Sequence, residues 1–200
     1  MTVLALVLLF AASPAQAEVR NLSGFDAIDA SGSLNVEVAM GPQFSVQVEG
    51  SHPDRVLSSV SGNRLVLRTQ HSWFSFNMGP TASVRVTMPS VRALQTSAGA
   101  DLAAHGLRAE ALSLAASSGS DLRADGACRS LRAAASSGAD LRAGDLVCEA
   151  VDVSASSGSD ATVNARVSAD VNASSGADIR VRGGGKLGRV ELSSGGDLHH

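Results

Sequence analysis

Beyond residue 107 the chain alternates apolar and polar residues in short runs that pause at a glycine. Leu112, Leu114, Ala116 and Ser118 fall on alternate positions before Gly119. Leu131, Ala133, Ala135 and Ser137 do the same before Gly138, and Val151, Val153, Ala155 and Ser157 before Gly158. The alternation resumes after each glycine with Leu122 and Ala124, Leu141 and Ala143, Ala161 and Val163, Ile179 and Val181. A period of two marks a strand with one buried face. Each unit therefore predicts two short strands around a Ser-Ser-Gly corner, with a second turn at stretches such as ADGACRS, residues 124–130. A helix over LRAEALSLAA (107–116) would suit its helix formers. The later VDVSAS (151–156) and ATVNARVSADVNAS (161–174) keep period two and are rich in the β-branched residues strands favour.

The corners recur. Gly99, Gly119, Gly138, Gly158, Gly176 and Gly195 are separated by 20, 19, 20, 18 and 19 residues, and an aspartate follows each by two. A sustained period near twenty signals a solenoid. Nineteen residues at about 3.3 Å each form one narrow coil, and coils stack at about 4.8 Å into parallel sheets. The fold class expected is all-β: a right-handed parallel β-helix of about 19-residue coils, the usual hand of parallel crossovers. No six-residue motif points to the left-handed form. Upstream, SLNVEVAM (33–40), QFSVQVEG (43–50), NRLVLRT (63–69) and SVRVTMP (83–89) also alternate. They suggest an early coil cornered at Gly32, then a hairpin-rich insertion or cap covering one end of the solenoid.

Composition narrows the class. The sequence has one Trp, five Phe and no Tyr among 200 residues, so its core is built from small and aliphatic side chains. A net charge of −3 gives no basic face for a nucleic acid. The opening MTVLALVLLFAASPAQA has an apolar run too short to span a bilayer and an Ala-Gln-Ala ending. It reads as a signal peptide over 1–17, although no Lys or Arg precedes the apolar run. Residues 18–200 then form one exported domain, with 18–90 the N-terminal β region and first coil and 91–200 the regular coils. Export means the periplasm or the cell surface, where disulfides persist.

Cys128 and Cys148 each lie ten residues before a corner glycine, in adjacent coils. Stacked neighbours fall within the Cα window of a disulfide, so this pair is expected to be bonded. Asp101, Asp121, Asp140, Asp160, Asp178 and Asp197 should form a ladder. One reading is structural, with the carboxylates bonding corner amides and Arg123, Arg142 and Arg180, each two residues on, supplying counter-charge. The other is a row of calcium sites. Trp73, Phe74 and Phe76 form either a small core or an exposed contact patch for a partner, glycan or membrane. His52, His71 and His105 are scattered, and no GxSxG, HExxH or phosphate loop occurs. A carbohydrate-active enzyme on a solenoid frame would need two carboxylates facing across a cleft. No catalytic residue, cofactor or enzyme activity is expected.

FDAIDASGSLNVEVAMG (25–41), VTMPSVRALQTSAGADL (86–102) and the SSG-x-D repeats resemble the bacterial head GIN domain family of auto-transporter adhesins, over residues 24–200. The resemblance implies a right-handed parallel β-helix with glycine corners, here Gly32, Gly99, Gly119, Gly138, Gly158, Gly176 and Gly195. It also implies a surface or periplasmic role in adhesion, without catalytic residues. The regular Asp and the cysteine pair are elaborations of this sequence. The partner expected is a protein or glycan at the cell envelope, or another copy of the chain.

Overall fold

The computed structural model describes residues 17–50, 53–70 and 82–200. Residues 1–16 of the stretch read as a signal peptide (1–17), His52, His71 and Trp73, Phe74 and Phe76 lie outside them. The described chain is a parallel β-solenoid of about five turns. Its first strands are β1 (Ala17–Arg20), β2 (Ala27–Ser31), β3 (Leu34–Met40) and β4 (Ser45–Glu49). A single 3-10 turn, Pro53–Arg55, precedes β5 (Val56–Ser61), β6 (Arg64–Thr69), β7 (Ala82–Met88) and β8 (Ala93–Ser97). The long strands follow: β9 (Asp101–Ser117), β10 (Asp121–Ser136), β11 (Asp140–Ser156) and β12 (Asp160–Ser174). The stack ends in β13 (Asp178–Arg182), β14 (Lys186–Ser193) and β15 (Asp197–His199).

A coil is one bent strand rather than two strands and a turn. β10 pairs with β11 from Asp121↔Asp140 to Arg123↔Arg142, from Asp125↔Asp145 to Cys128↔Cys148, and from Ser130↔Ala150 to Ser136↔Ser156. The two gaps are bends, and pairing with the coil below continues around both because successive coils bend at the same place. The interior is a column of stacked aliphatic rows: Leu102, Leu122, Leu141, Ala161 and Ile179 are at most 2% exposed. Burial of such rows drives the stacking.

The corners reset the alternation. Ser118, Ser137 and Ser157, expected inside on parity, are exposed. Each has positive φ, 54°, 55° and 57°, and the glycine after it is left-handed too. Two successive left-handed residues turn the next side chain inward: Ala100, Ser120, Ala139, Ser159 and Ala177 are at most 1% exposed. The corner amides bond between coils. Gly119 N–H donates to the Ser137 carbonyl at 3.1 Å, and Asp140 N–H to the Ser120 carbonyl at 3.0 Å. The buried Ser120 hydroxyl accepts from Ser117 N–H at 3.1 Å, so its polarity is satisfied. Ala139→Leu, which overfills this inward position, is expected to cost about 1–3 kcal/mol in denaturant unfolding. The corner serines tolerate larger residues only as far as their positive φ allows.

The N-terminal strands interleave. The expected early coil, β2–β3, is not followed by a separate insertion; it lies in the stack between two later segments. β2 pairs in parallel with both β6 and β8, and β3 with both β7 and β9. Asp26 ties these layers together. Its N–H donates to the Asn63 carbonyl at 2.9 Å, and its carbonyl accepts from Arg92 N–H at 2.7 Å. Its carboxylate accepts from Arg92 Nε and from Asn63 Nδ2, both at 2.5 Å. The Arg92 guanidinium, first among these contacts, holds the Asp26 carboxyl below its ordinary pKa. Beyond this coil, β4 adds antiparallel to β7, β1 antiparallel to β4, and β5 antiparallel to β6. Phe25 packs on Phe44 with ring centroids 4.9 Å apart.

Candidate binding surface

The aspartate ladder is in register. Asp101, Asp121, Asp140, Asp160, Asp178 and Asp197 are successive pairing partners. Asn35 continues the row below Asp101. A parallel row runs beside it two residues further along each strand: Ala103, Arg123, Arg142, Thr162, Arg180 and His199. The corner amides mainly donate to carbonyls of neighbouring coils, and the Asp121 amide also interacts with the Asp101 carboxyl, as the smallest of the influences on that group. Asp197 accepts the Leu198 N–H at 2.8 Å.

Counter-charge is uneven. Arg142 bridges two rungs, with Nη1 2.9 Å from Asp121 and Nη2 2.5 Å from Asp140. Among the described residues Arg123 and Arg180 make no ion pair, and supply their counter-charge at longer range, to Asp101 and Asp160. Asp101 and Asp160 are followed two residues on by Ala103 and Thr162 instead of Arg. Both carboxyls are pushed up from their ordinary values. Burial is the larger cause in each, followed by repulsion from Asp121 for Asp101 and from Asp140 and Asp178 for Asp160. A depression of about 290 Å³ beside Asp160 is lined by Asp140, Arg142, Thr162, Asp178, Arg180 and His199.

A raised carboxyl pKa means the folded state disfavours the charged form. The resulting penalty is complete above the folded pKa and disappears as pH falls below the unfolded value near 4. Asp160→Asn is therefore expected to raise stability by about 0.5 kcal/mol at pH 7 in low salt, after discounting for solvent screening. The gain should vanish by pH 3 and shrink in high salt. Melting curves across that pH range check it.

Among the described residues no group of three or more His, Cys, Asp or Glu is placed to hold a metal ion. The six ladder aspartates sit one to a rung on an open face. His105 does form a contact: Nδ1 lies 2.7 Å from Asp125, which also accepts Gly106 N–H at 2.7 Å. These two bonds, the amide first, hold Asp125 below its ordinary pKa. They join neighbouring coils at the first bend, a role no motif signalled.

Cys128 and Cys148 are disulfide-bonded, with Cα atoms 4.5 Å apart. The bond links β10 to β11 where Cys128 opposes Cys148 in the ladder. Among the described residues no helix is long and apolar enough to cross a membrane.

Stacked parallel coils with a rowed, charged outer face define a β-solenoid. Residues 24–185 match the family described as "Putative auto-transporter adhesin, head GIN domain", and the chain belongs to it. A solved "putative adhesin" from Bacteroides fragilis is similar in fold, with a TM-score of 0.71 at 19% identity over 94% of this chain and 97% of that one. A "putative adhesin" from Parabacteroides distasonis gives 0.59 at 12% identity, covering 92% and 95% of the two chains. Another from Parabacteroides merdae gives 0.53 at 10% identity, again over 92% and 95%. The sequence matches none of the curated proteins.

Proposed function

We propose that the chain is an exported, non-enzymatic adhesion module that holds a protein or glycan at the bacterial cell envelope through the outer face of its solenoid. The observation that carries this reading is the pair of in-register rows: six aspartates beside Arg123, Arg142, Thr162, Arg180 and His199. A backbone ladder fixes both rows, so the face presents carboxylates, guanidiniums and a hydroxyl at a constant spacing of about 4.8 Å. Such a face suits a repetitive or extended partner, whose hydrogen-bonding groups recur as well. Family membership supports adhesion. The signal-like N-terminus and the disulfide fit an oxidising, external compartment.

The test is a glycan array and a pull-down from envelope fractions with the purified mature chain, run beside an Arg142→Ala/Arg180→Ala variant. The expected result is a retained ligand whose binding falls at least tenfold in the variant. Absence of any retained ligand, or equal retention by the variant, would overturn the proposal. Release of reducing ends from a bound polysaccharide would point to an enzyme.

A further inference from the structure

A second concave region lies beside the arginine row, toward the first bend of each coil. It is a depression of about 340 Å³ lined by residues of β9 to β13, among them His105, Arg123, Asp125, Arg142, Asp145 and Arg182. Arg182 shapes it. Its backbone pairs with Asn164 of β12, yet its guanidinium reaches back one coil further and lies over Gly144 of β11. A Cβ at 144 would stand 3.0 Å from Arg182 Nη1, 3.3 Å from its Cζ and 3.1 Å from the Thr162 methyl. The missing side chain is therefore the seat that the guanidinium occupies. Asn164 Nδ2 donates to the Gly144 carbonyl at 3.0 Å and holds that bend in place.

The charges in this depression are only partly matched within the protein. Arg142 is engaged by Asp121 and Asp140, and Asp125 by His105 and the Gly106 amide. Among the described residues Arg123 and Arg182 make no ion pair and donate no side-chain hydrogen bond. Asp145, opposite Asp125 in the ladder, makes no ion pair among them either. Two unengaged guanidiniums thus share one hollow with an unengaged carboxylate and the Thr162 hydroxyl. A planar guanidinium matches a carboxylate or a sulfate, and a carboxylate and a threonine accept hydroxyl protons. A neutral sugar would leave the guanidiniums without counter-charge. A glutamate-rich peptide would bring no hydroxyl for Asp145 and would oppose it with like charge. No large apolar side chain lines the hollow, and its volume sits at the small end of ligand pockets. We propose that this depression is a subsite for one acidic sugar unit, carboxylated or sulfated, of a polysaccharide. The assignment rests on the adhesion reading above and gives its partner a chemistry.

Biolayer interferometry on the purified mature chain tests this, with oligogalacturonate, sulfated dextran, uncharged maltooligosaccharide and polyglutamate as probes at one ionic strength. The expected result is binding of one or both acidic glycans and of neither control. Oligogalacturonate alone would assign the subsite to a carboxylate, sulfated dextran alone to a sulfate ester. Arg182→Gln should weaken binding about tenfold, and Gly144→Asp, which sets a carboxylate against the guanidinium, by a similar factor. Arg166→Gln removes an exposed arginine outside the depression and should leave Kd within about twofold of the parent. Arg182 is exposed as well, so Arg182→Gln should melt with the parent and its loss of binding is not a loss of fold. No binding of either acidic glycan, equal binding by Arg182→Gln, an equal loss in Arg166→Gln, or polyglutamate binding as tightly would overturn the proposal. A neutral glycan or a protein retained through Arg142 and Arg180 would overturn it too, while leaving the adhesion reading standing.

Discussion

Replacing Gly126 with alanine is expected to destabilise the protein by about 3 kcal/mol or more, while the same change at Gly138 costs about 1. Both glycines have positive φ, 126° at Gly126 and 68° at Gly138. Gly138 sits at a corner in the left-handed well, and a methyl there meets nothing within 4 Å. Its cost is the ordinary one for an L-residue in that well. Gly126 lies on the bend of β10 opposite Leu107. A Cβ at 126 would collide with the Leu107 carbonyl oxygen and lie 2.5 Å from its nitrogen and 2.9 Å from its carbonyl carbon. All three are backbone atoms of the adjoining coil, so relief requires the coils to separate where pairing drives them together. Its φ is also one that only glycine adopts readily. Urea unfolding of the two variants measures the contrast. Equal costs would mean that β10 and β9 do not meet at this bend.

That bend also shows where local pattern stops being informative. The coils, corners and disulfide follow from period two and period nineteen, because the same side chains that mark the pattern fill the column: Leu122, Leu141, Val153 and Val163. The corner interior did not follow. Ser118 is a non-glycine in a left-handed conformation, which nothing in its neighbours signals, and it shifts burial to Ser120. The usable clue was that the residue between Gly and Asp is only ever Ala, Ser or Gly. The N-terminal interleaving was hidden for another reason. Whether β2 stacks on β6 or on the next strand in the chain depends on tertiary contacts such as Asp26 with Asn63 and Arg92, which are 37 and 66 residues away. The ladder arginines supply the expected counter-charge, but with partners the spacing alone did not give. An i, i+2 spacing predicts partners along one strand, yet Arg142 also reaches back one rung to Asp121, 21 residues earlier. Cross-coil neighbours are as close as strand neighbours here, so side-chain reach rather than spacing decides the pairing.

Removing the disulfide is expected to cost about 3 kcal/mol. Cys128 and Cys148 close a loop of 20 residues, and a covalent link of that length removes corresponding freedom from the unfolded chain. Cys148 is 1% exposed and Cys128 8%, so alanine is the appropriate replacement; serine would bury a hydroxyl as well. The loss should not be spread evenly. In a stack where each coil touches only its neighbours, stability is a sum of coil and interface terms. The bond strengthens the β10–β11 interface. On one side lie the interleaved N-terminal strands, pinned by Asp26. On the other lie β12 to β15, where Leu187, Val190 and Leu192 of β14 are only part-buried, at 37%, 39% and 47% exposed. A Cys128→Ala/Cys148→Ala chain should therefore open first from the β14 end, with fraying passing β12 and reaching β11 more often than in the bonded protein. Hydrogen exchange should show faster amide exchange from Asp140 onward, with the amides of β2, β3, β6 and β8 nearly unchanged. Uniform acceleration across all coils would instead mean that the solenoid unfolds as one cooperative unit, and that the bond acts on the unfolded ensemble as a whole.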